Sequence, residues 1–472
     1  MQKRYTFLFI LFTSLHSFFV TPIYSQTIAG GLFFSLSTCL DSTVKSWGYN
    51  YYGELGLGDT IDRHIPTPIA GLTGIKAVDA GEWHSIALKN NGTVWSWGNN
   101  FNGQLGTGLV PNSSVPVQVF GLTNVRAIAS GQNHCLALKS DSTIRAWGNN
   151  LYGQVGDGTT NLVACQCKPS AVPVSNLNNV IAIASGGFHS LALKSDSTLW
   201  AWGRNTNGQL GDSTNNDSSL PIQVHGLSGI VAISAGGIHS LALKSDGTVY
   251  AWGGNLNGQL GDSTINDKNF PVKLNGLTNV MAISAGYNHS MILKTDSTIW
   301  SWGYNYYSQV GDGTLVDKHF PVSGTGLTGI AAIDAGGSHS IVLKNNFSLK
   351  AWGNSYYGLG DGTVVTFGCE CRMFPINVTN WCSPLSVEEN SDDELSLVIS
   401  PNPCALQFQI SDFRFQISNV KVINVLGEVV ISNWSLINNK NITIDLSREA
   451  KGIYFLEIQT DKRIINRKII VQ

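Results

Sequence analysis

The chain has 472 residues, roughly three domains' worth at about 150 residues each, with 29 Lys plus Arg against 31 Asp plus Glu. A formal charge of −2 argues against nucleic acid or an acidic membrane as the main partner, since such proteins carry clustered positive charge. With 13% charged residues, 51 Gly and 13 Trp, the composition describes a turn-rich, rigid, all-β chain rather than a helical or disordered one.

Residues 1–25 read as a signal peptide. Lys3 and Arg4 give a basic start, and residues 5–20 form a nearly unbroken apolar run, shorter than the ~20 residues that span a bilayer. Pro22 ends the run and Ser25 is the expected cleavage residue, before Gln26. No Cys follows closely, which argues against a lipoprotein, and no later segment approaches membrane-spanning length. The mature chain is therefore expected to be exported without a transmembrane segment, to a compartment where its eight Cys can form disulfides.

From residue 26 to 383 the chain repeats itself. Trp-Gly falls at Trp47, Trp97, Trp147, Trp202, Trp252, Trp302 and Trp352, in steps of 50 residues broken once by a step of 55. His84, His134, His189, His239, His289 and His339 keep the same register, and Phe34 takes that place in the first copy. In the fifth copy His239, Leu241 and Leu243 alternate with Ser240, Ala242 and Lys244, the pattern of a half-buried strand. Asp246-Gly247 then turns the chain into a second strand that ends at Trp252, and residues 231–234 and 271–274 add two more. Each copy thus holds the content of one propeller blade, which cannot bury both of its faces alone. Aligning Trp47 with Trp97 lays residues 27–31 over 77–81, and the last copy ends at residues 375–378 before any such strand. The N-terminal strand is therefore expected to complete the final blade and remove two open sheet edges.

The Gly-rich turn, the in-register His, the Trp-Gly and the "NxxGQLG" loop together resemble the regulator of chromosome condensation repeat family over residues 27–383. The resemblance implies a seven-bladed β-propeller. It does not bring the founder's guanine-nucleotide exchange with it, because an exported chain would not meet the nuclear GTPase and no added wedge segment is present.

Residues 384–395 change composition abruptly: Glu388, Glu389, Asp392, Asp393 and Glu394 occur with no basic residue, as in a solvated linker. Residues 396–472 follow as short alternating strands, read as a small immunoglobulin-like β-sandwich. Pro401-Asn402-Pro403 after the first strand, "VINVLGEVV", "IDLS" and "KGIYFLEI" resemble the type A C-terminal sorting domain of the type IX secretion system. Cys404 stands where that family usually places an aromatic. The resemblance implies translocation across the outer membrane of a Gram-negative bacterium, with the secretion machinery as partner.

Candidate chemistry is sparse. Each His has a Ser or Cys neighbour, but adjacent strand residues point to opposite faces, and six equivalent positions suit blade packing better than catalysis. The loops "GDSTNNDSS" and "GDSTINDKN" collect oxygen ligands yet lack the Gly and bidentate Glu of a calcium loop, so no metal or other cofactor is expected. Cys165-Gln-Cys167 and Cys369-Glu-Cys371 lie in the two lengthened copies, too far apart on a ring to share zinc. A local disulfide from Cys371 to Cys382 is expected instead, while the partner of the first pair is open.

The Trp-Gly loops differ between copies. Copies one, six and seven carry Tyr49, Tyr51, Tyr52, Tyr304, Tyr306, Tyr307, Tyr356 and Tyr357, where copies four and five place Thr206, Asn207, Leu256 and Asn257. In a closed ring those three blades are neighbours. The rings either fill gaps between blades, the favoured reading, or form one aromatic sector that stacks on sugar or grips a protein loop. The function expected from the sequence is recognition of a protein or polysaccharide by a secreted or surface-bound scaffold without chemistry of its own. Blade-specific acids such as Glu54 and Glu82 are solitary in sequence, so a polysaccharide-acting enzyme is the second reading and an exchange factor the third.

Overall fold

The computed structural model describes residues 27–382 except 40, 110, 161–166, 325 and 364–370, together with the strands of the C-terminal unit between 398 and 471. The signal segment, the acidic linker, Cys165, Cys369, the Pro-Asn-Pro motif and Cys404 lie outside the described residues.

Seven four-stranded antiparallel meanders follow one another along the first unit. In the first, β1 (Ile28–Gly30) pairs with β2 (Phe34–Thr38), β2 with β3 (Val44–Gly48), and β3 with β4 (Arg63–Pro68). Each later blade repeats that order, from Ile75–Ala80 as the inner strand of blade 2 to Cys371–Asn377 as the outer strand of blade 7. The Trp of each third strand is fully buried against apolar side chains of the preceding blade. Trp97, for example, packs with Leu36, Val44 and Leu55 of blade 1.

The expectation that the N-terminal strand completes the last blade is corrected here. Blade 7 forms all four of its strands from one continuous stretch, and β1 pairs with β2 of its own blade. The alignment of residues 27–31 with 77–81 holds. Those residues, however, are the inner strand that opens a copy rather than the outer strand that ends one.

Closure is made by repeated inter-blade bonds instead. On the inner belt the Gly187 N–H donates to Gly236 O at 3.0 Å, and the Gly337 N–H to Gly31 O at 2.9 Å. Glycine is required beside this belt: a Cβ on Gly186 would lie 2.3 Å from His189 Cε1 and 2.5 Å from Gly236 O. Further out, His239 Nε2 is 2.9 Å from Ser290 Oγ, and Ser290 Oγ donates to Gln259 O at 2.8 Å. Because the serine proton goes to the carbonyl, the imidazole donates through Nε2. Trp302 Nε1 donates to the same carbonyl at 2.8 Å. The His, Ser and Trp of the repeat thus form one clamp between consecutive blades.

That clamp is incomplete at the seam between blades 7 and 1. His339 Nε2 still reaches Ser35 Oγ at 2.9 Å, but the blade 7 loop reads Gly358-Leu359-Gly360 and lacks the clamp glutamine. Trp47 Nε1 consequently finds no hydrogen-bond partner among the described residues. Other bonds hold the seam: the Gly30 N–H to Asp334 Oδ2 at 2.7 Å, the Gly362 N–H to His64 O at 2.9 Å, and Lys45 Nζ to Asn380 O at 2.6 Å. A disulfide joins Cys39, in the β2–β3 hairpin, to Cys382, the residue after Trp381. Cys382 is therefore not the partner of Cys371, which is disulfide-bonded elsewhere, as is Cys167. Loop-length reasoning favoured a nearby partner, whereas ring closure places a residue 343 positions away within bonding distance.

The second unit comprises Cys39–Ser42 and the chain from Cys382 onward. Its C-terminal part is two four-stranded sheets, one containing Gln407–Ser411 and Asn441–Asp445, the other Ile417–Asn424, Gly452–Thr460 and Ile464–Val471. Phe408, Ile410, Ile442 and Ile444 from the first meet Val420, Val422, Leu456 and Ile458 from the second in one buried core, the arrangement of a β-sandwich. Among the described residues, no helix is long and apolar enough to cross a membrane.

Candidate functional site

In a four-stranded meander the turn between strands one and two and the loop between strands three and four emerge at the same end. The residues before the register His and after Trp-Gly therefore share one face of the ring. The Tyr49 N–H donates to Phe33 O at 3.1 Å, and the Asn99 N–H to Trp83 O at 2.8 Å, tying the two loops together in each blade.

On that face, blades 7, 1 and 2 join their aromatic rings. Tyr357 lies 4.5 Å from Tyr49 and 5.4 Å from Phe33, centroid to centroid. Tyr49 and Phe33 reach Trp83 at 5.1 and 5.9 Å, and Tyr52 reaches Trp83 and Phe101, each at 5.9 Å. Tyr356 and Tyr51 flank the tract, in contact with Tyr357 and Tyr52. These separations are those of favourable edge and tilted ring pairs. Tyr49, Tyr52 and Tyr357 are half-buried and touch rings of the next blade, whereas Tyr51, Phe101 and Tyr356 are 66%, 68% and 43% exposed. Some of these rings thus fill the seams between blades, and others stand in solvent. Tyr304, Tyr306 and Tyr307 of blade 6 contact one another. The joined tract instead extends to blade 2 through Phe33, Trp83 and Phe101, which sequence reading missed. Comparing the residue before the register His, copy by copy, would have found Phe33 and Trp83.

The two acids that look solitary in sequence border this tract. Glu54 replaces the glutamine that in blade 2 bonds Asn99 and Asn133, at 2.7 and 3.1 Å through Gln104 Nε2. Its Oε2 accepts the Tyr52 N–H at 2.8 Å, and its Oε1 has no hydrogen-bond partner among the described residues. Burial pushes the Glu54 carboxyl up to about 8, and burial followed by the nearby Glu54 pushes the Tyr49 phenol up to about 12. Glu82 stands at a cavity of about 90 Å³ on the ring axis that is lined largely by glycines, with Gln132 beside it and Tyr287 also in the lining. Burial raises its carboxyl, while hydrogen bonds from Gln132, Asn133 and Trp83 oppose the shift. Deeper in the ring, Asp79 Oδ2 accepts the Ser130 N–H at 2.8 Å. Burial, and then the charge of Asp334, lifts Asp79 to about 7, and burial lifts Asp334 to about 6.

A second aromatic arrangement occupies the junction of blades 3 and 4. Tyr152 and Phe188 are 5.5 Å apart, and the Arg204 guanidinium lies 5.1 and 5.8 Å from their centroids.

Comparison with known proteins matches the RCC1-like domain family to residues 121–399 and the regulator of chromosome condensation (RCC1) repeat to residues 41–88 and 91–138. The secretion system C-terminal sorting domain matches residues 398–472. The chain is 31% identical over 217 residues to the ultraviolet-B receptor UVR8 of Arabidopsis thaliana, an overlap of 45% of this chain and 49% of that one. It thus spans about half the length of that relative. Among solved structures, Prp20p of Saccharomyces cerevisiae superposes with a TM-score of 0.62 at 24% identity, over 74% of this chain and 86% of that one. Human WBSCR16 does so with a TM-score of 0.64 at 24% identity, over 71% and 94%. These structural likenesses establish the propeller fold.

Proposed function

The chain belongs to the RCC1-like domain family, and from that premise we propose that it is an exported recognition protein whose propeller loops bind a protein or polysaccharide. Its sorting domain marks it for secretion or for the outer cell surface of a Gram-negative bacterium. In this reading the chain divides into a signal peptide (1–25), a propeller (26–383), an acidic linker (384–395) and a module (396–472) that engages the secretion machinery. The observation that carries it is the joined aromatic tract over blades 7, 1 and 2, with Tyr51, Phe101 and Tyr356 exposed on one face. Exposed aromatic clusters of this kind are the usual anchors of binding surfaces.

A binding role also has precedent among the relatives: UVR8 is named a receptor, and Prp20p is described by its binding to Gsp1p and histones. Those ligands are theirs. An enzyme acting on polysaccharide would need an acid and a base exposed to substrate, and Glu54 is fully buried. The reading without catalysis is favoured on that ground.

The test is a combined glycan and peptide array probed with the full-length exported protein. Tyr51→Ser, Phe101→Ser and Tyr356→Ser together should weaken binding of any hit by about a hundredfold, each lost aromatic anchor contributing ~1 kcal/mol. Phe120→Ser, at an equally exposed ring on the opposite face, should bind as the parent does. Unchanged binding by the triple variant would move recognition off this face.

A further inference from the structure

The repeat contains its own template for what the tract receives. At the blade 3/4 junction, Tyr152 stands five residues after its Trp, Phe188 one before its His, and Arg204 two after its Trp. The same three positions at the blade 1/2 junction are Tyr52, Trp83 and Asn99. Tyr52 and Trp83 are 5.9 Å apart at 61°, against 5.5 Å at 73° for Tyr152 and Phe188, so the two pairs frame similar apertures. In the first, a guanidinium from the protein's own backbone position fills the space. In the second, the short Asn99 is turned away: its Oδ1 accepts from Gln104 Nε2 at 2.7 Å and the Phe101 N–H at 3.0 Å. Among the described residues, no lysine or arginine stacks on Phe33, Tyr49, Tyr52 or Trp83.

Charge separates the junctions further. The residue before Trp83 is Glu82, hydrogen-bonded by Trp83 and by Asn133 Nδ2, whereas the residue before Phe188 is Gly187. The Tyr52–Trp83 pair, which carries no stacked cation and is bordered by Tyr49 and Phe101, therefore has a carboxylate beside it that the Tyr152–Phe188 pair lacks. We infer that the aperture framed by Tyr52 and Trp83, with Glu82 beside it, receives the guanidinium of an arginine presented by a protein partner. Ring faces attract the cation, and desolvation beside a carboxylate strengthens the attraction. A neutral sugar would also stack and donate its hydroxyls to the acid, but only a cation reproduces the guanidinium that stacks on the matching pair at the blade 3/4 junction. The inference rests on recognition at this face and selects a protein over a polysaccharide as the occupant.

The experiment uses the full-length protein and three probes: a Gly/Ser heptapeptide bearing one central arginine, the same peptide with citrulline, and a neutral oligosaccharide of similar length. Arginine and citrulline differ in charge and hardly in shape. Binding of the arginine peptide should exceed that of the citrulline peptide by about tenfold, and Glu82→Gln should remove most of that ratio. Asn99→Arg, which copies blade 4, should fill the aperture from within and abolish peptide binding while the melting temperature stays near the parent's. Should Asn99→Arg fail to fold, Tyr52→Leu supplies the same loss. Equal binding of the arginine and citrulline peptides, or no measurable binding of the arginine peptide, overturns the inference. So does oligosaccharide binding that Asn99→Arg blocks, which would leave recognition at this face standing. Loss of recognition itself is reported separately, by an unaffected Tyr51, Phe101 and Tyr356 triple variant.

Discussion

Acidification from pH 7 to pH 4 is expected to destabilise the propeller more than any single substitution. His84, His134, His189, His239 and His289 are fully buried, and that burial lowers each imidazole from its ordinary 6.5 to about 3, with His339 held at about 4. His134, His189, His239 and His289 donate through Nε2 to the serine of the next blade, and in the five histidines from His84 to His289 Nδ1 has no hydrogen-bond partner among the described residues, so a second proton there would be buried unbonded. The unfolded chain protonates all six as pH falls through about 6.5, while the folded chain resists until about 3 to 4. Stability from these groups is therefore complete above 6.5 and lost progressively below it. Each unit of depression corresponds to about 1.4 kcal/mol, and six sites act together.

The buried acids act in the opposite sense. Glu54, Asp79 and Asp334 have raised values of about 8, 7 and 6, so the folded state keeps their protons after the unfolded chain has lost them, and stability declines as pH rises from about 4 toward 8. The two trends set a maximum close to neutrality. Urea midpoints measured from pH 4 to 8 should fall steeply below 6.5, with a slope of several protons. His189→Gln should reduce that slope by about one proton whatever it does to the absolute stability. A midpoint that stays level between pH 7 and 5 would mean that the histidines are charged in the folded ring.

Removing the Cys39–Cys382 disulfide should cost about 3–5 kcal/mol, because the bond spans 343 residues and constrains a very large loop in the unfolded chain. The site matters as much as the loop length. The blade 7/1 seam is where Trp47 Nε1 lacks the carbonyl that receives the other clamp tryptophans and where β1 has only three residues. Cys39→Ser with Cys382→Ser should lower the melting temperature by several degrees and admit protease first near residues 27–31 and 371–382. Reductant should lower the parent's melting temperature by at least as much, because it also opens the disulfides of Cys167 and Cys371. Cys135, the free buried thiol of blade 3, supplies the contrast: it takes the clamp serine's place beside His84, and Cys135→Ser restores the repeat and should change stability little. Equal stability of the double variant and the parent would show that seam packing closes the ring unaided.

The repeat was legible because the clamp makes the same demand at every junction. Buried Trp and His recur wherever one carbonyl must receive an indole and a serine, and a Gly must pass beneath an imidazole. Where a copy begins was not legible, since periodicity has a spacing and no origin. Residues 27–31 aligned correctly and were still assigned to the wrong blade. The disulfide was missed because chain distance misleads once a ring returns to its start. The aromatic tract was half legible. The tyrosine-rich loops of copies seven and one meet, but Trp83 and Glu82 join them only because blade 2 adjoins blade 1, and the tyrosines of blade 6 contact one another.

Amide hydrogen exchange of the full-length protein, with and without the strongest binder from the combined array, tests most directly whether recognition belongs to this face. Slowed exchange is expected in residues 31–33, 49–57, 82–83, 99–105 and 354–360, the loops that carry the aromatic tract and its two acids. Protection confined to the hairpins at residues 90–93, 140–143 and 245–248, on the opposite end of the blades, would contradict the account.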